Sequence, residues 1–281
     1  EGSMLDSSDL SPLLGEAMEE TLRIQGEMTK YGHPSEFEGC VGINVGSMND
    51  GECVLTYNWG NSFSDHVRNG TTVRGKLGVA PTPGSHKVLN RETGKLEECT
   101  STDMCPYAVV DDRTGKLINQ APYGAYGGFS GAVSGAVSKQ NQIAAAEFFA
   151  FATSSKKAIK YVIPDANNPD ANPVPTGMDP YAKSMLDVKE WTSRGFDEKS
   201  TEEYKVAIES QLGSSNVVID LRIPAAASFM GGLDAVTTKY TNDTLHDEFE
   251  NEDQAASLRA DLAAELAEEW QKVVEGYDST K

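Results

Sequence analysis

The chain has 281 residues and a net charge of −19 at pH 7, with 24 basic against 43 acidic side chains. This balance argues against nucleic acids and anionic membrane surfaces as partners, because both bind basic proteins. At about 150 residues per domain the length predicts two domains or lobes, and the 38% of hydrophobic residues suffices for a core. No run of eighteen apolar residues occurs, which argues against a membrane-spanning helix.

The first part of the chain predicts a helix followed by short strands. The apolar residues after Pro12 recur at helical spacing, and they are Leu14, Met18, Leu22 and Met28. This helix is expected to end near Gly32. Three runs rich in strand formers follow, at 41–45, 53–59 and 77–80. The pattern predicts a mixed α/β fold.

Residues 85–121 have a different character. The segments 90–96 and 111–117 are similar to each other, and each predicts a hairpin turn with a glycine, Gly94 or Gly115, at the position that favours a positive φ. A short loop between two cysteines separates the two turns. We interpret the region as a hairpin-rich insertion that a disulfide staples.

The cysteines and two sequence triplets predict the compartment. Four cysteines in two local pairs predict two disulfides, Cys40–Cys53 and Cys99–Cys105, whereas four free thiols in a cytosolic protein are the alternative. Their spacing is not that of zinc ligands, so no metal is expected. Asn69 and Asn242 begin N-x-T triplets and are predicted glycosylation sites. These features favour an extracellular, cell-surface or periplasmic protein.

The second half of the chain is predicted to be mostly helical. A helix is expected over about 140–153, where Ala144, Phe148, Phe149 and Phe151 predict broad burial. Ser200 and Glu203 have the spacing of a capping box that opens a helix. A short β-branched run at 217–219 precedes another helix that runs through about Tyr240. The final helix has an apolar stripe, which consists of Leu258, Leu262, Leu266, Trp270 and Val273.

Catalytic signatures are missing from the sequence. The segment 128–132 departs from the G-x-S-x-G nucleophile motif at its last position, and neither a phosphate-binding loop nor a dinucleotide-binding motif occurs. The four histidines are scattered, with no H-E-x-x-H. We therefore expect neither an enzyme nor a cofactor, while a glycosidase-like carboxylate pair remains the enzymatic alternative.

Aromatic residues beside amides and glycines are the best candidates for ligand contacts. Tyr57, Asn58, Trp59 and Asn61 form one such group, because aromatic faces stack on sugar rings while amides bind hydroxyl groups. Burial of Trp59 in a core is the alternative. The segment 123–129 is a second group, with tight backbone packing as its alternative; its aromatic residues are Tyr123, Tyr126 and Phe129.

The order of these segments resembles the second half of the family 1 extracellular solute-binding proteins, the sugar-type binding proteins of ABC importers. The resemblance is carried by four stretches, 51–60, 78–84, 123–131 with 144–151, and 220–229. It implies an α/β fold of the periplasmic-binding-protein type II, with two lobes and hinge-crossing segments, which apparently lacks the N-terminal part. The corresponding domains are 5–84 (part of the second lobe), 85–121 (the insertion), 122–176 (a return segment in the first lobe) and 177–281 (the C-terminal helical part of the second lobe).

The resemblance also implies a function. A secreted or cell-surface module would capture a small carbohydrate or polyol in an interlobe cleft, with a transporter, a receptor or an N-terminal companion fragment as partner. It adds three contacts, Arg222, Phe229 and Met230, although the thioether of Met230 is a poor substitute for an aromatic ring. Ala182 stands where the family often has arginine, which removes a fixed donor. The alternative function is a structural or adhesive protein that uses a degenerate binding-protein fold for assembly.

Overall fold

The computed structural model of the chain describes residues 4–6, 8–32, 45–67, 70–124, 131–168, 178–219, 221, 223–245, 249 and 251–278. Its helices are α1 (Gly15–Thr29), α2 (Val45–Asp50), α3 (Ser62–His66), α4 (Lys139–Ala152), α5 (Ser155–Val162), a 3-10 helix (Lys183–Leu186), α6 (Val188–Thr192), α7 (Glu198–Leu212), α8 (Ala226–Leu245) and α9 (Glu252–Asp278). Its strands are β1 (Lys87–Asn90), β2 (Lys95–Glu98), β3 (Val109–Val110), β4 (Leu117–Ile118), β5 (Tyr123–Gly124) and β6 (Val218–Ile219).

The chain divides into two compact units and passes between them four times. The first unit consists of Glu1–Gly32, Thr82–Gly127 and Ser214–Lys281, and the second of His33–Pro81 and Gly128–Gly213. The domain boundaries expected from the sequence do not coincide with these units. The segments 5–84, 122–176 and 177–281 each contribute residues to both units. The insertion at 85–121 lies wholly in the first unit.

The core of the first unit is a three-helix packing of α1, α8 and α9. The predicted apolar stripe of the last helix is confirmed: Leu262, Leu266 and Trp270 are buried, and Leu258 and Val273 pack against them. The Trp270 indole N–H donates a hydrogen bond of 3.0 Å to the Phe229 carbonyl, which satisfies the one polar atom of this buried ring. The predicted first helix is also confirmed as α1.

The core of the second unit is an aromatic cluster. Phe63, Trp191, Phe196 and Tyr204 are all buried in it, together with the aliphatic residues of α5. The Phe63 and Tyr204 rings stack at 4.4 Å with an interplanar angle of 8°, and Trp191 meets Tyr204 edge-on at 5.3 Å. Phe63, Trp191 and Tyr204 come from α3, α6 and α7, and Phe196 lies in the turn between α6 and α7, so the cluster packs these three helices together.

Mixed α/β structure is confirmed, but the sheets of the described residues have two strands each. Strands β1 and β2 pair antiparallel, as do β3 and β4, whereas β5 and β6 pair parallel. Both predicted hairpin turns are present, with φ of 68° at Gly94 and 71° at Gly115. The runs 53–59 and 77–80 are not strands, because no neighbouring strand accepts or donates along them. The predicted run at 41–45 lies largely outside the described residues.

The two predicted disulfides have different outcomes. Cys99 and Cys105 form a disulfide with their Cα atoms 6.1 Å apart. Cys40 lies outside the described residues, and half-buried Cys53 bonds to no other described cysteine. Of the predicted glycosylation sites, Asn69 lies outside the described residues and Asn242 is exposed on α8.

Two helices differ from the prediction. Helix α4 has no buried residue, so the expectation of broad burial for Phe148, Phe149 and Phe151 is wrong. Helix α7 begins before the predicted capping box: its cap is Asp197, whose carboxylate accepts the Ser200 N–H at 2.9 Å. Within the described ranges, no helix combines the length and apolar composition needed to cross a membrane.

Candidate functional site

The predicted aromatic group lies on an extended and exposed segment of the second unit. Between α2 and α3 the chain runs without helix or strand, and Val54 is completely exposed. The side chain of Tyr57 is 69% exposed and that of Trp59 is 46% exposed. Trp59 is therefore not a core residue, and its indole is available to a partner from solvent.

The segment is anchored at its C-terminal end by the start of α3. Ser62 donates two hydrogen bonds to the Trp59 carbonyl, from its backbone N–H at 3.1 Å and its hydroxyl at 2.7 Å. The Asn58 side-chain oxygen accepts the Trp59 N–H at 2.8 Å. The Asn61 carbonyl accepts two more bonds from Ser64, from the backbone N–H at 3.2 Å and the hydroxyl at 2.9 Å. An exposed tryptophan on an anchored backbone loses little further entropy when a ligand stacks on it.

Helix α7 forms hydrogen bonds with the segment that lines the far side of the groove region, residues 77–79. Its Ser200 hydroxyl donates to the Leu77 carbonyl at 2.8 Å, and its Glu203 carboxylate accepts the Val79 N–H at 3.2 Å. The two residues that the sequence assigns to a capping box thus hold the segment 77–79. Further along α7, Tyr204 and Ile208 lie beside Gly60.

A groove of about 480 Å³ runs between the extended segment and the turns that follow α3. Its lining is mixed polar and apolar and comes from one unit: Met48, Asp50, Gly51, Cys53, Val54, Leu55, Thr56, Thr72, Val73, Lys76, Leu77 and Gly78. The groove ends on the extended chain just before Tyr57. Its volume lies within the range of small-molecule sites, although it is open rather than enclosed.

Asp179 is a candidate site residue that sequence reasoning missed. Its carboxylate accepts the backbone N–H of Asn61, and its Oδ1 lies 2.8 Å from the point where a Cβ on Gly60 would be. Asp179 keeps an exposed surface, yet the protein atoms around its carboxyl raise its pKa above the ordinary value, an effect that the Asn61 hydrogen bond only partly offsets. No periodicity marks a single aspartate in a loop, and only the folded chain brings it beside Gly60 and Asn61.

The Tyr204 hydroxyl lies 3.5 Å from the same point and has no hydrogen-bond partner among the described residues. Tyr204 is 2% exposed, and its burial raises its pKa, with the nearby Asp179 charge acting in the same direction. Buried hydroxyl groups normally find a partner. An unpaired one next to a reachable carboxylate marks this spot as polar and incompletely satisfied.

The other predicted contacts fall elsewhere. Phe229 is fully buried in the first unit, edge-on to Trp270 at 5.3 Å, so its assignment as a ligand contact is corrected: its ring is core. Met230, the next residue on α8, is 38% exposed. Tyr123 is in β5, and its side chain is outside the described residues. Tyr126, Phe129 and Arg222 also lie outside them.

Among the described side chains, no three histidine, cysteine, aspartate or glutamate residues are grouped so that they would hold a metal ion. No protein-family model, curated protein or solved structure matches the chain. The exposed Trp59 and its polar neighbours are therefore the feature of the described residues that best indicates a function.

Proposed function

We propose that the chain is a binding module that captures a small polyhydroxylated ligand, a sugar or polyol, at the segment Tyr57–Asn61. The observation that carries the proposal is the half-exposed Trp59 indole on an anchored backbone, with Asn58, Asn61 and Asp179 as polar neighbours. A sugar presents an apolar C–H face to an aromatic ring and hydroxyl groups to amides and carboxylates.

The proposal includes a relationship to the periplasmic-binding-protein type II fold and a location outside the cytosol. The order of the sequence segments supports the first part. The Cys99–Cys105 disulfide supports the second, because such bonds persist in oxidising compartments. That fold has larger sheets than the two-stranded sheets of the described residues. Ligand binding is therefore inferred from Trp59 and not from the fold.

The test is a thermal-shift screen of the full chain with glucose, maltose, sorbitol and choline, followed by calorimetric titration. A ligand at a hundred times its dissociation constant adds about 2.7 kcal/mol of stability, which is a measurable shift. Trp59→Ala should weaken saccharide binding about tenfold, because it removes the stacking surface. Tyr107→Ala is the matched control, since Tyr107 is equally exposed at 46% and lies in the other unit. Equal affinity of the two variants would remove Trp59 from the site.

A second function, assembly with another copy of the chain, is favoured by α4. The helix is apolar on average and has no buried residue, and Phe148 and Phe151 are 63% and 57% exposed. Its only charged residues are Lys139 and Glu147, so it is electrically neutral on a chain of net charge −19. Two such acidic chains repel each other least where a neutral face meets its copy.

Light scattering over a concentration series tests the assembly. The double variant Phe148→Ser/Phe151→Ser should be monomeric where the wild type is dimeric. Its unfolding midpoint should match that of the wild type only at concentrations where the wild type is also monomeric, because neither ring is buried within the chain. Val109→Ser/Val110→Ser, which replaces two exposed residues of β3, is the control. A wild type that is monomeric at every concentration would contradict assembly and leave ligand binding as the function.

A further inference from the structure

The groove beside the extended segment runs along the edge of the backbone and not over one face of it. Four consecutive residues, 53–56, line the groove. Successive side chains of an extended chain point to opposite faces, so a cavity that touches all four must follow the edge where the peptide N–H and C=O groups lie. The groove therefore offers a ligand the hydrogen-bonding groups of the main chain, in contrast to the aromatic ring of Trp59.

The peptide groups along this edge have no partner in the described part of the chain. Residues 53–57 neither donate nor accept a backbone hydrogen bond there. On the opposite wall of the groove, Gly78 forms none with any described residue, whereas its neighbours Leu77 and Val79 bond to α7. Backbone donors and acceptors are strong groups that normally find a partner. Two segments with unpaired backbone thus line one groove.

The extended segment also has the sequence of a strand that pairs. Val54, Thr56 and Tyr57 are of residue types enriched in strands. Neither a charged residue nor a proline occurs over 53–59, although these are the usual means by which proteins keep an exposed strand edge from pairing. Val54 is 100% exposed and Leu55 is 88% exposed, so their side chains are available to a partner as well.

The walls of the groove are held in place by hydrogen bonds. The Thr72 N–H and hydroxyl both donate to the Asn49 carbonyl, at 2.8 and 3.0 Å, which joins the end of α2 to the turns after α3. The Ser200 hydroxyl holds the Leu77 carbonyl on the other wall at 2.8 Å. Because these walls are already ordered, a ligand that enters between them loses less free energy to ordering.

We propose that the groove binds an extended, basic peptide segment of another protein, which adds a strand to residues 53–56. This inference goes beyond the proposed function, because it concerns the backbone edge and not the Trp59 ring. A peptide main chain repeats its donors and acceptors at the spacing of the edge, about 3.3 Å per residue, whereas the hydroxyl groups of a sugar have no such repeat. The four wall residues span about 13 Å and match about four residues of the peptide.

Charge determines which peptides suit the groove. Its lining includes one acidic and one basic side chain, Asp50 and Lys76, and both are exposed. These two charges offset each other, so the field that remains is that of a chain with a net charge of −19. This field attracts a basic peptide and repels both an acidic peptide and a second copy of the chain. The expected partner segment therefore has β-branched residues flanked by lysine or arginine.

The experiment titrates the full chain by calorimetry with the hexapeptide Lys-Thr-Val-Thr-Val-Lys, acetylated and amidated at its ends. The control peptide is N-methylated on its four central residues, which removes their N–H donors and keeps the side chains and the charge. It should bind at least about tenfold more weakly, because two or more hydrogen bonds are lost. Amide hydrogen exchange gives a second readout, since the unmethylated peptide should slow the exchange of the N–H groups of residues 53–57.

A matched pair of variants tests the same backbone groups from the side of the protein. Val54→Pro/Leu55→Pro removes two N–H donors, whereas Val54→Ala/Leu55→Ala removes the same side chains and keeps both donors. The proline variant should lose at least about tenfold in peptide affinity and the alanine variant much less. Both should unfold at the wild-type midpoint, because the two side chains are exposed and their N–H groups have no partner among the described residues. The N-methylated peptide decides the question on the wild type even where a variant does not fold.

Four outcomes would overturn the peptide site. They are no binding of the hexapeptide to the folded wild type, equal affinity for the N-methylated peptide, equal affinity for a hexapeptide with glutamate in place of both lysines, and a wild-type dimer that the proline variant abolishes, which would make a second copy the occupant. The proposed function is tested independently, because Trp59→Ala should lose saccharide affinity and keep peptide affinity. Either proposal can therefore fail while the other stands.

Discussion

His66 shows at the scale of one residue how burial controls a charge. Its ring is 2% exposed, Nδ1 lies 2.9 Å from the Asn49 side-chain oxygen, and Nε2 has no partner among the described residues. Burial lowers the pKa of His66 below the ordinary 6.5, and the nearby Asp65 only partly opposes this. The neutral ring is therefore the form that the fold accepts, with the Nδ1–H donated to Asn49.

We expect this to make the chain less stable in mild acid. Because the folded pKa is below the unfolded one, the unfolded chain binds the proton first, and stability is lost as the pH falls below about 6.5. His66→Gln should flatten the dependence of the unfolding midpoint on pH between 5 and 7. His86→Gln, in a half-buried histidine of the other unit, is the control. Identical slopes for the wild type and His66→Gln would contradict the assignment.

The pKa of Asp179 is shifted in the opposite direction from that of His66, upward instead of downward. Its raised folded pKa means that the native carboxyl holds its proton more tightly than the unfolded one, so its contribution to stability falls as the pH rises from about 3.8 through the folded value. Asp179→Asn should therefore be more stable than the wild type to urea at pH 7, an advantage that disappears at pH 3.5. Asp112→Asn provides the reference, and a variant destabilised at pH 7 would show that the charge is not a cost. A binding residue that reduces stability is a common compromise at functional sites.

At the scale of elements, α7 has two tasks: it contributes Tyr204 to the aromatic cluster and holds the segment 77–79. Its start depends on the Asp197 cap, since this carboxylate accepts the Ser200 N–H at 2.9 Å. Asp197→Ala should lower the free energy of unfolding by about 1 kcal/mol. Asp197→Asn keeps a capping oxygen and should lose much less. Chemical denaturation of the three proteins checks this, and equal losses would mean that charge rather than capping matters.

Local patterns predict the elements that depend on local interactions. The apolar spacing of α1 and α9 and the glycine turns of the hairpins are correctly predicted, because each needs only neighbours three to seven residues away. The strands expected at 53–59 and 77–80 fail for the opposite reason, since a strand requires a partner that periodicity does not reveal. The same limit hides the surroundings of Gly60: its neighbour Trp59 stands out in the sequence, whereas Asp179 and Tyr204 lie beside Gly60 only through tertiary packing.

Helix α4 shows a second limit. Its phenylalanines predict burial by their chemistry, but nothing in a single sequence says whether an apolar face packs inside the chain or is left for another molecule. Phe229 gives the converse case. The resemblance to the solute-binding proteins implies a ligand contact for Phe229, yet on α8 its ring is buried in the core, edge-on to Trp270.

At the scale of the whole molecule, the net charge of −19 is expected to reduce the stability of the folded chain. The ion pairs of the described residues are mostly pairs within one helix, such as Glu20 with Arg23 and Lys239 with Asp243, and they leave the excess of negative charge uncompensated. Like charges repel in the compact state, and salt screens them over about 10 Å at 0.1 M. The unfolding midpoint should rise between 10 and 300 mM NaCl, and equally in KCl. A midpoint that falls with salt would show that ion pairs outweigh the repulsion.

The hairpin insertion begins and ends at one place in the first unit. Ser85 and Asn119 exchange two backbone hydrogen bonds of 2.9 and 2.8 Å, and the chain between them includes both hairpins and the disulfide loop. These bonds fix the two ends of the insertion, while its first hairpin also packs on α1, where the Leu96 N–H donates to the Glu16 carboxylate at 2.8 Å. Residues added at the Asp112–Gly115 tip would extend the second hairpin outward, because a Cβ at Gly115 would meet open space among the described residues. This tip is therefore a suitable place to insert an affinity tag or a fluorescent label. Insertions next to Ser85 or Asn119 would instead separate the two ends.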